Sequence, residues 1–363
     1  MKTHNPNNVR ISHKYCIFLK EAKRQNVASI DGVVKAINRL EQYTKYKDFK
    51  QFHYQQAVGF KNNLIKQKNE FTGKPLSKAT LNTTLRHLKN FFQWLALQPG
   101  YKSQINYSDM EYFNLSEKDA RIANAKRKKP VPSIEQITHV LENMPARTDI
   151  EKRNRAVIAL TLLTGARDSA IASLKIKHVS IAEGSIYQDA REVNTKYSKT
   201  FTTYFFPVGE LPLTILKEWI EYLTNELLFS ADDPLFPKTK IENNKNRKFE
   251  ATGLLREHWK TADPIRKIFK QAFQHVDLPN YNPHSFRNTL VRLGENICRT
   301  PEQFKAWSQN LGHEGVLTTF NSYGDVPDYR QAELIKNLSM PKVDQSCEVQ
   351  AAIEATIKKM MDK

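Results

Sequence analysis

Five side chains in this sequence have the types that can break a phosphodiester bond. Four lie in one stretch, in P-H-S-F-R-N-T-L at 283–290, L-G-H at 311–313 and T-T-F-N-S-Y at 318–323. The fifth is the arginine of T-G-A-R at 164–167. A guanidinium is a flat, permanently charged fork that suits the non-bridging oxygens of a phosphate. A tyrosine hydroxyl can attack phosphorus and form a covalent intermediate, which divides one difficult step into two.

In type and order, these motifs resemble the active-site set of the tyrosine recombinases, the phage integrase family, which shares its chemistry with type IB DNA topoisomerases. The resemblance extends over roughly residues 10–340. It implies a site-specific DNA recombinase or integrase that cuts and rejoins strands through a 3′-phosphotyrosyl intermediate. It also implies that no cofactor and no metal ion take part, because the tyrosine and the cationic side chains carry the reaction.

The resemblance assigns a role to each motif residue. Arg167 matches the family's first arginine, and His284 and Arg287 match its H-x-x-R pair, whose spacing puts both on one helix face. His313 matches the second histidine, and Tyr323 matches the nucleophile. A phenol has a pKa of about 10, so the nucleophile needs help to lose its proton.

The 5′-oxygen is a poor leaving group and needs a general acid, which is often a lysine in this family. The resemblance favours Lys199, in S-K-T, which precedes Pro207 as the family's strand-loop lysine commonly does. Lys196, in N-T-K, is the alternative.

Two positions depart from the family pattern. The family usually has a glutamate three residues after the first arginine, where this chain has Ala170; Asp168, which follows Arg167 directly, is the candidate replacement. The interval from His313 to Tyr323 is one residue longer than is common, which leaves Tyr329 as a poorer alternative nucleophile.

The charge of the chain favours a polyanion as its partner. The formal net charge is +18 and the estimated pI about 9.6, which indicates nucleic acid. Residues 1–110 hold 19 Lys and Arg against 6 Asp and Glu, a net +13, which leaves only +5 for the other 253 residues. The predicted partner is double-stranded DNA with a specific recombination site, and no apolar run is long enough for a membrane span. The three cysteines have no C-x-x-C spacing.

The predicted fold is mainly α with a small antiparallel β-sheet, an α+β architecture. We expect a helical core-binding domain that clamps DNA at 1–115, a basic linker at 116–130, a catalytic domain at 131–341 and a helical tail at 342–363. The four helices of the first domain are predicted from apolar residues at helical spacing. They fall at about 12–23, 29–40 with Ser29 as the N-cap, 52–65 and 81–95.

The catalytic domain is predicted to begin with a capping box of Ser133 and Gln136. Helical spacing continues over 153–174, where Gly165 lets the backbone turn at the first arginine. Strand-forming residues over 178–208 predict a three-stranded antiparallel sheet. Further elements are predicted as helices at about 211–229 and 264–276 and an exposed loop at 231–250.

The tail carries an apolar helical stripe of Val349, Ile353, Ile357 and Met360, which a short helix at a chain end cannot bury alone. It needs a groove on its own chain or on a neighbour. In similar recombinases the tail commonly docks on the adjacent protomer and closes a ring of four around two duplexes. We therefore expect a homotetramer on paired sites, accessory DNA-bending proteins as possible partners, and a location in the cytoplasm with the nucleoid.

Two other functions fit a basic chain of this fold. One is an architectural or regulatory DNA-binding protein that has lost catalysis, although every polar catalytic position is filled. The other is an enzyme like a type IB topoisomerase, which relaxes supercoils. A nuclease is disfavoured because no cluster of Asp and Glu in the sequence indicates a Mg²⁺ site.

Overall fold

The computed structural model describes residues 4–69, 72–125, 130–243 and 248–313. The chain divides into two compact units, Met1–Arg127 and Lys128–Lys363. Helices dominate both units and the strands are antiparallel, which confirms the predicted fold class. Among the described residues, no helix is both long and apolar enough to cross a bilayer.

The first unit contains all four predicted helices and a fifth. They are α1 (Pro6–Ile17), α2 (Val27–Thr44), α3 (Tyr54–Lys66), α4 (Lys78–Leu95) and α5 (Glu117–Asn124). The predicted cap of α2 is wrong: the Asn26 side chain accepts the Ser29 backbone N–H at 2.8 Å, so the helix begins earlier. An asparagine oxygen caps a helix as well as a serine hydroxyl does.

The predicted linker at 116–130 is helical in its first half. Ser116 caps α5 by accepting the Asp119 N–H, and Lys78 of α4 forms an ion pair with the Asp119 carboxylate at 3.0 Å. Since α5 is held to α4 in this way, it is part of the first unit and the basic run that follows it begins later.

The second unit contains seven helices and five strands among its described residues. The helices are α6 (Ile134–Asn143), α7 (Asp149–Thr164), α8 (Asp168–Ile171), α9 (Leu211–Glu221), α10 (Asp263–His275), α11 (Pro283–Ile297) and α12 (Pro301–Asn310). The strands are β1 (Val179–Ser180), β2 (Ser185–Gln188), β3 (Phe201–Tyr204), β4 (Lys238–Asn243) and β5 (Phe249–Leu255). The capping box of Ser133 and Gln136 is confirmed.

The first three strands form the predicted three-stranded antiparallel sheet, in the order β1-β2-β3. Ile186 of β2 pairs with Val179 of β1 and Thr203 of β3. A long loop therefore joins β2 to β3, and it carries both candidate lysines.

The prediction of an exposed loop over 231–250 is wrong from Lys238 onward. Strand β4 pairs there with β5 in antiparallel fashion, with a register shift between Lys240 and Ile241. Its strands carry many charged and polar residues, so an apolar period of two is absent from the sequence. The buried Arg153 of α7 holds β4 in place by donating to the Pro237 carbonyl at 2.8 Å and the Thr239 hydroxyl at 3.0 Å.

The helical spacing predicted over 153–174 is interrupted at residues 165–167, where the sequence predicts the turn. Helix α7 is buried on nearly all sides and ends at Gly165, whose backbone is left-handed with φ 58° and ψ 21°. Glycine adopts this conformation without the steric penalty that a Cβ brings. The short α8 then begins immediately after Arg167.

Candidate active site

Arg167 lies in the extended segment between α7 and α8 that the turn at Gly165 creates. Its side chain is half-buried, and this burial lowers its pKa below the ordinary value. Tyr197, in the loop between β2 and β3, acts in the opposite direction and raises the pKa of Arg167. The loop that carries the candidate lysines therefore reaches the neighbourhood of the first arginine.

Arg287 of α11 joins three segments of the second unit. It is 4% exposed and donates to the carbonyl oxygen of Gly165 at 2.5 Å and to that of Leu311 at 2.6 Å. The same guanidinium lies against His313, with Nη2 and Nε2 separated by 3.0 Å. One buried side chain thus fixes the turn before Arg167 and the L-G-H segment at the same time.

The contact with Arg287 determines the tautomer of His313. A guanidinium can only donate hydrogen bonds, so Nε2 of His313 must accept, and the ring proton is on Nδ1. Burial lowers the pKa of His313 to about 4, with further lowering by Arg287, Arg167 and His284. The imidazole is accordingly neutral at neutral pH.

Four of the five predicted motif residues are therefore brought together: Arg167, His284, Arg287 and His313. Burial, and then the nearby charge of Arg167, lowers the pKa of Arg287 to about 9. The three acceptors of Arg287 in the described chain are two carbonyls and a neutral imidazole, none of which carries a negative charge. Two partly desolvated guanidinium groups side by side make a site where a bound anion would be stabilised.

The segment that carries His313 is fixed by strand β3. The Asn310 side chain exchanges two hydrogen bonds with the Tyr204 backbone, at 2.7 and 2.8 Å, and the backbone carbonyl of Asn310 accepts from the Thr203 hydroxyl at 3.1 Å. Gly312 has φ 68°, and a Cβ there would lie 2.7 Å from the Phe201 ring. No local pattern in the sequence marks Asn310, since only the fold brings a helix end to this strand.

Both candidate general acids lie in the β2–β3 loop. Lys196 is exposed, and its Nζ lies 4.7 Å from the centroid of the Tyr197 ring. Lys199 is partly buried and lies two residues before β3 begins at Phe201. The ranking of Lys199 over Lys196 remains a prediction.

Asp168, the candidate replacement for the family's glutamate, forms its hydrogen bonds with residues outside the cluster of arginines and histidines. Its carboxylate accepts from Arg266 of α10 at 2.8 Å and from the Ser169 backbone at 2.9 Å. Ala170 itself is buried. Tyr323, the alternative Tyr329 and the tail at 342–363 lie outside the described residues. Among the described residues, no group of three or more His, Cys, Asp or Glu could hold a metal ion.

The model of the phage integrase family matches residues 132–329. A relative, tyrosine recombinase XerC of Lactobacillus leichmannii, is 24% identical over 254 residues, which cover 68% of this chain and 72% of the relative. The integrase of transposon Tn1549, solved in complex with transposon right-end DNA, is similar in fold, with a TM-score of 0.59 and 17% identity over 92% of this chain and 100% of that one. A lambda integrase dimer bound to a core site gives a TM-score of 0.59 with 12% identity, over 93% and 99%.

The fold and the clustered motif residues define a DNA strand-transferring enzyme of the tyrosine type. The family match covers more than half of the chain, and the chain belongs to the phage integrase family. It is a site-specific DNA recombinase.

Proposed function

We propose that the four clustered residues hold the scissile phosphate while Tyr323 attacks it. The observation that supports this proposal best is that Arg167 lies near Arg287, whose three acceptors in the described chain carry no negative charge. A phosphate that gathers charge in the transition state would supply the missing anion. His313, whose Nε2 accepts from Arg287, would help to hold that guanidinium in place.

The covalent step balances with the residues of this chain. The Tyr323 oxygen forms a bond to phosphorus as the bond from phosphorus to the 5′-oxygen breaks, which yields a 3′-phosphotyrosine. The phenol would give its proton to the His284 imidazole, and the 5′-oxygen would take one from Lys199, with Lys196 as the alternative. The 5′-hydroxyl of a second strand reverses the step, so the bond energy is kept and strands are rejoined.

Each arginine should stabilise the transition state by the fixed geometry of its donors as well as by its charge. Removing one preorganised donor from an oxyanion site lowers the rate by roughly 100- to 1000-fold. Arg287 is preorganised by its bonds to the Gly165 and Leu311 carbonyls and to His313, which leave its Nε–H and one Nη1 hydrogen for the phosphate. Lysine at this position would lose that fixed fork although it keeps the charge.

The first unit is proposed to clamp the duplex. Between α2 and α4 lies a groove of about 400 Å³ whose lining includes Lys35, Arg39, Thr80 and His87. Cations interleaved with hydroxyl groups suit phosphate oxygens, which fix a protein on DNA without reading its sequence. This groove lies within the part of the chain that carries most of the net charge. The complexes of the Tn1549 and lambda integrases with DNA support the same partner.

The assembly is proposed to be a homotetramer on two recombination sites, in which the tail of each protomer docks on its neighbour. Accessory proteins that bend the DNA are proposed as further partners. An enzyme with this substrate works where the cell keeps its DNA, so we place it in the cytoplasm with the nucleoid.

The test is covalent trapping. A nicked suicide substrate from the DNA that flanks the native gene should give a covalent protein–DNA band with the native chain, in the presence of EDTA and without ATP. Tyr323→Phe should abolish the band and leave DNA binding nearly intact, whereas Tyr329→Phe should keep it. A band that persists in Tyr323→Phe would place the nucleophile elsewhere, and a strict need for Mg²⁺ would overturn the proposed chemistry.

A further inference from the structure

The β2–β3 loop is bonded to α8, which follows Arg167, and to the turn after α8. The backbone of Asn194 makes two hydrogen bonds there: its N–H donates to the Ser173 hydroxyl at 2.8 Å, and its carbonyl accepts from the Ser169 hydroxyl at 3.2 Å. Ser173 is 8% exposed, and its hydroxyl donates in turn to the Ala170 carbonyl at 3.0 Å. Two hydroxyl groups one helical turn apart therefore hold one residue of the loop.

Other contacts hold the ends of the same loop. The Glu192 carboxylate accepts from Lys175, Lys177 and His178, each at 2.9 Å, and these bonds hold its pKa at about 2. The Thr200 hydroxyl accepts the Ala190 N–H at 3.0 Å, which closes the base of the loop. The segment from 195 to 199, with both lysines, thus lies between two residues, Asn194 and Thr200, that hydrogen bonds hold in place.

The backbone of the segment from 195 to 199 makes a tight turn with two residues in the left-handed region. Tyr197 and Ser198 both have left-handed backbones, with φ of 61° and 50°. Such conformations cost non-glycine residues energy, and they persist where the surrounding structure determines them. A shift of Asn194 would therefore be transmitted through a tight turn to the lysines.

We infer that Ser169 and Ser173 are positioning residues for the general-acid lysine. They lie two and six residues after Arg167, so the short segment that follows the phosphate-holding arginine, α8 and the turn after it, also sets the position of the loop. This inference rests on the proposed function, in which a lysine of the loop protonates the leaving 5′-oxygen. A misplacement of about 1 Å can cost a reacting group about 100-fold in rate.

The experiment compares two leaving groups. Full-length Ser169→Ala/Ser173→Ala is assayed for single-turnover cleavage of a substrate with the normal 5′-oxygen and of one with a 5′-bridging sulfur. A thiolate leaves without a proton, so the sulfur substrate does not need the general acid. The matched control is Ser180→Ala, which removes a serine hydroxyl that accepts a backbone N–H, that of Glu183 at 3.2 Å, in the other turn of the same sheet.

The double variant should cleave the oxygen substrate about 10- to 100-fold more slowly than the native chain, at unchanged DNA affinity. It should cleave the sulfur substrate at a nearly native rate, and Ser180→Ala should behave as the native chain on both. Native-like cleavage of the oxygen substrate by the double variant would overturn the inference. An equal loss on both substrates would also overturn it, because the hydroxyls would then support the fold or Arg167 instead.

Two lysine variants separate this inference from the proposed function. If sulfur rescues Lys199→Ala or Lys196→Ala but not the serine variant, the inference alone is wrong. If sulfur rescues neither lysine variant, the general acid lies outside the loop, and both statements fall. Rescue of Lys196→Ala and not of Lys199→Ala would reverse the order of the two candidates and leave the role of the serines intact.

Discussion

The guanidinium of Arg287 on α11 donates to the carbonyl oxygen of Gly165, the residue that ends α7, at 2.5 Å. Gly165 is two residues before Arg167, so the second arginine of the site is bonded to the turn that presents the first. A carbonyl beyond the end of a helix lacks an intrahelical partner and is free to take such a bond. The relative position of the two arginines is therefore built into the backbone.

Gly165→Ala should be far more destabilising than its left-handed backbone alone explains. A Cβ there would lie 2.9 Å from Leu290 Cδ1 and 2.9 Å from Leu311 Cδ2, both in the core. Backbone strain of about 1–2 kcal/mol adds to overpacking of about 1–3 kcal/mol. Urea unfolding followed by tryptophan fluorescence measures the loss, and DNA cleavage should fall with it because Arg287 is displaced.

The matched control for that substitution is Gly184→Ala, in the turn between β1 and β2. Gly184 has φ 60°, nearly the 58° of Gly165, but its added Cβ meets only Phe205 at an ordinary 3.7 Å. The loss of stability in Gly184→Ala should therefore come from backbone strain alone. Equal losses of stability in the two variants would mean that the leucines move aside freely and that the packing argument is wrong.

His313 should make the folded state less stable in mild acid. Its pKa falls from an ordinary 6.5 to about 4 on folding, chiefly through burial. Between these values the unfolded chain binds the proton and the folded chain does not, so stability is complete above about pH 6.5 and is lost as the pH falls toward 4. The measurement is the free energy of unfolding of the native chain from pH 7.5 to pH 4.5.

His313→Gln is the comparison, because the glutamine oxygen can still accept from Arg287 and does not titrate. Its stability should depend less steeply on pH than that of the native chain over the same interval. The pKa values of His87 and His258 are also lowered by burial, but they contribute to both proteins and cancel in the difference. Parallel pH curves would show that His313 does not have the depressed pKa given above.

The sequence predicts those features that depend on local periodicity and on short motifs. Helix α4 and the Ser133 capping box follow from the side chains at their own spacing, and the motif order identifies the family before any contact is known. The pairing of β4 with β5 could not be found in this way, since β4 alternates Lys238, Lys240 and Glu242 with a set that contains a single apolar residue, Ile241. Ser169, Ser173 and Asn310 acquire roles only from distant backbone partners, which no local pattern encodes.

The groove between α2 and α4 should account for part of the salt dependence of DNA binding. A protein that neutralises phosphates releases counterions, so its log K for DNA decreases as log salt increases. The slope of this line becomes shallower by about 1 for each phosphate contact that is lost. Lys35→Ala/Arg39→Ala should therefore make the slope shallower by about 2. Lys20→Ala is the control, because this exposed lysine of the same unit lies outside the groove and beside Glu21 at 3.5 Å. An unchanged slope in the double variant would mean that the groove does not face DNA.

Deletion of residues 343–363 should separate DNA binding from assembly. The apolar stripe that the sequence predicts for the tail would need a groove, and docking on a neighbouring protomer would couple assembly to strand exchange. The truncated protein should bind a single site with native affinity and form few tetramers on DNA with two sites, by native gel or mass photometry, and its recombination should fall accordingly. A matched variant, Ile353→Asp/Ile357→Asp, keeps the length of the tail and should reproduce the defect if the apolar stripe is its cause. Normal tetramers and normal recombination from the truncated protein would show that the tail does not dock on a neighbour.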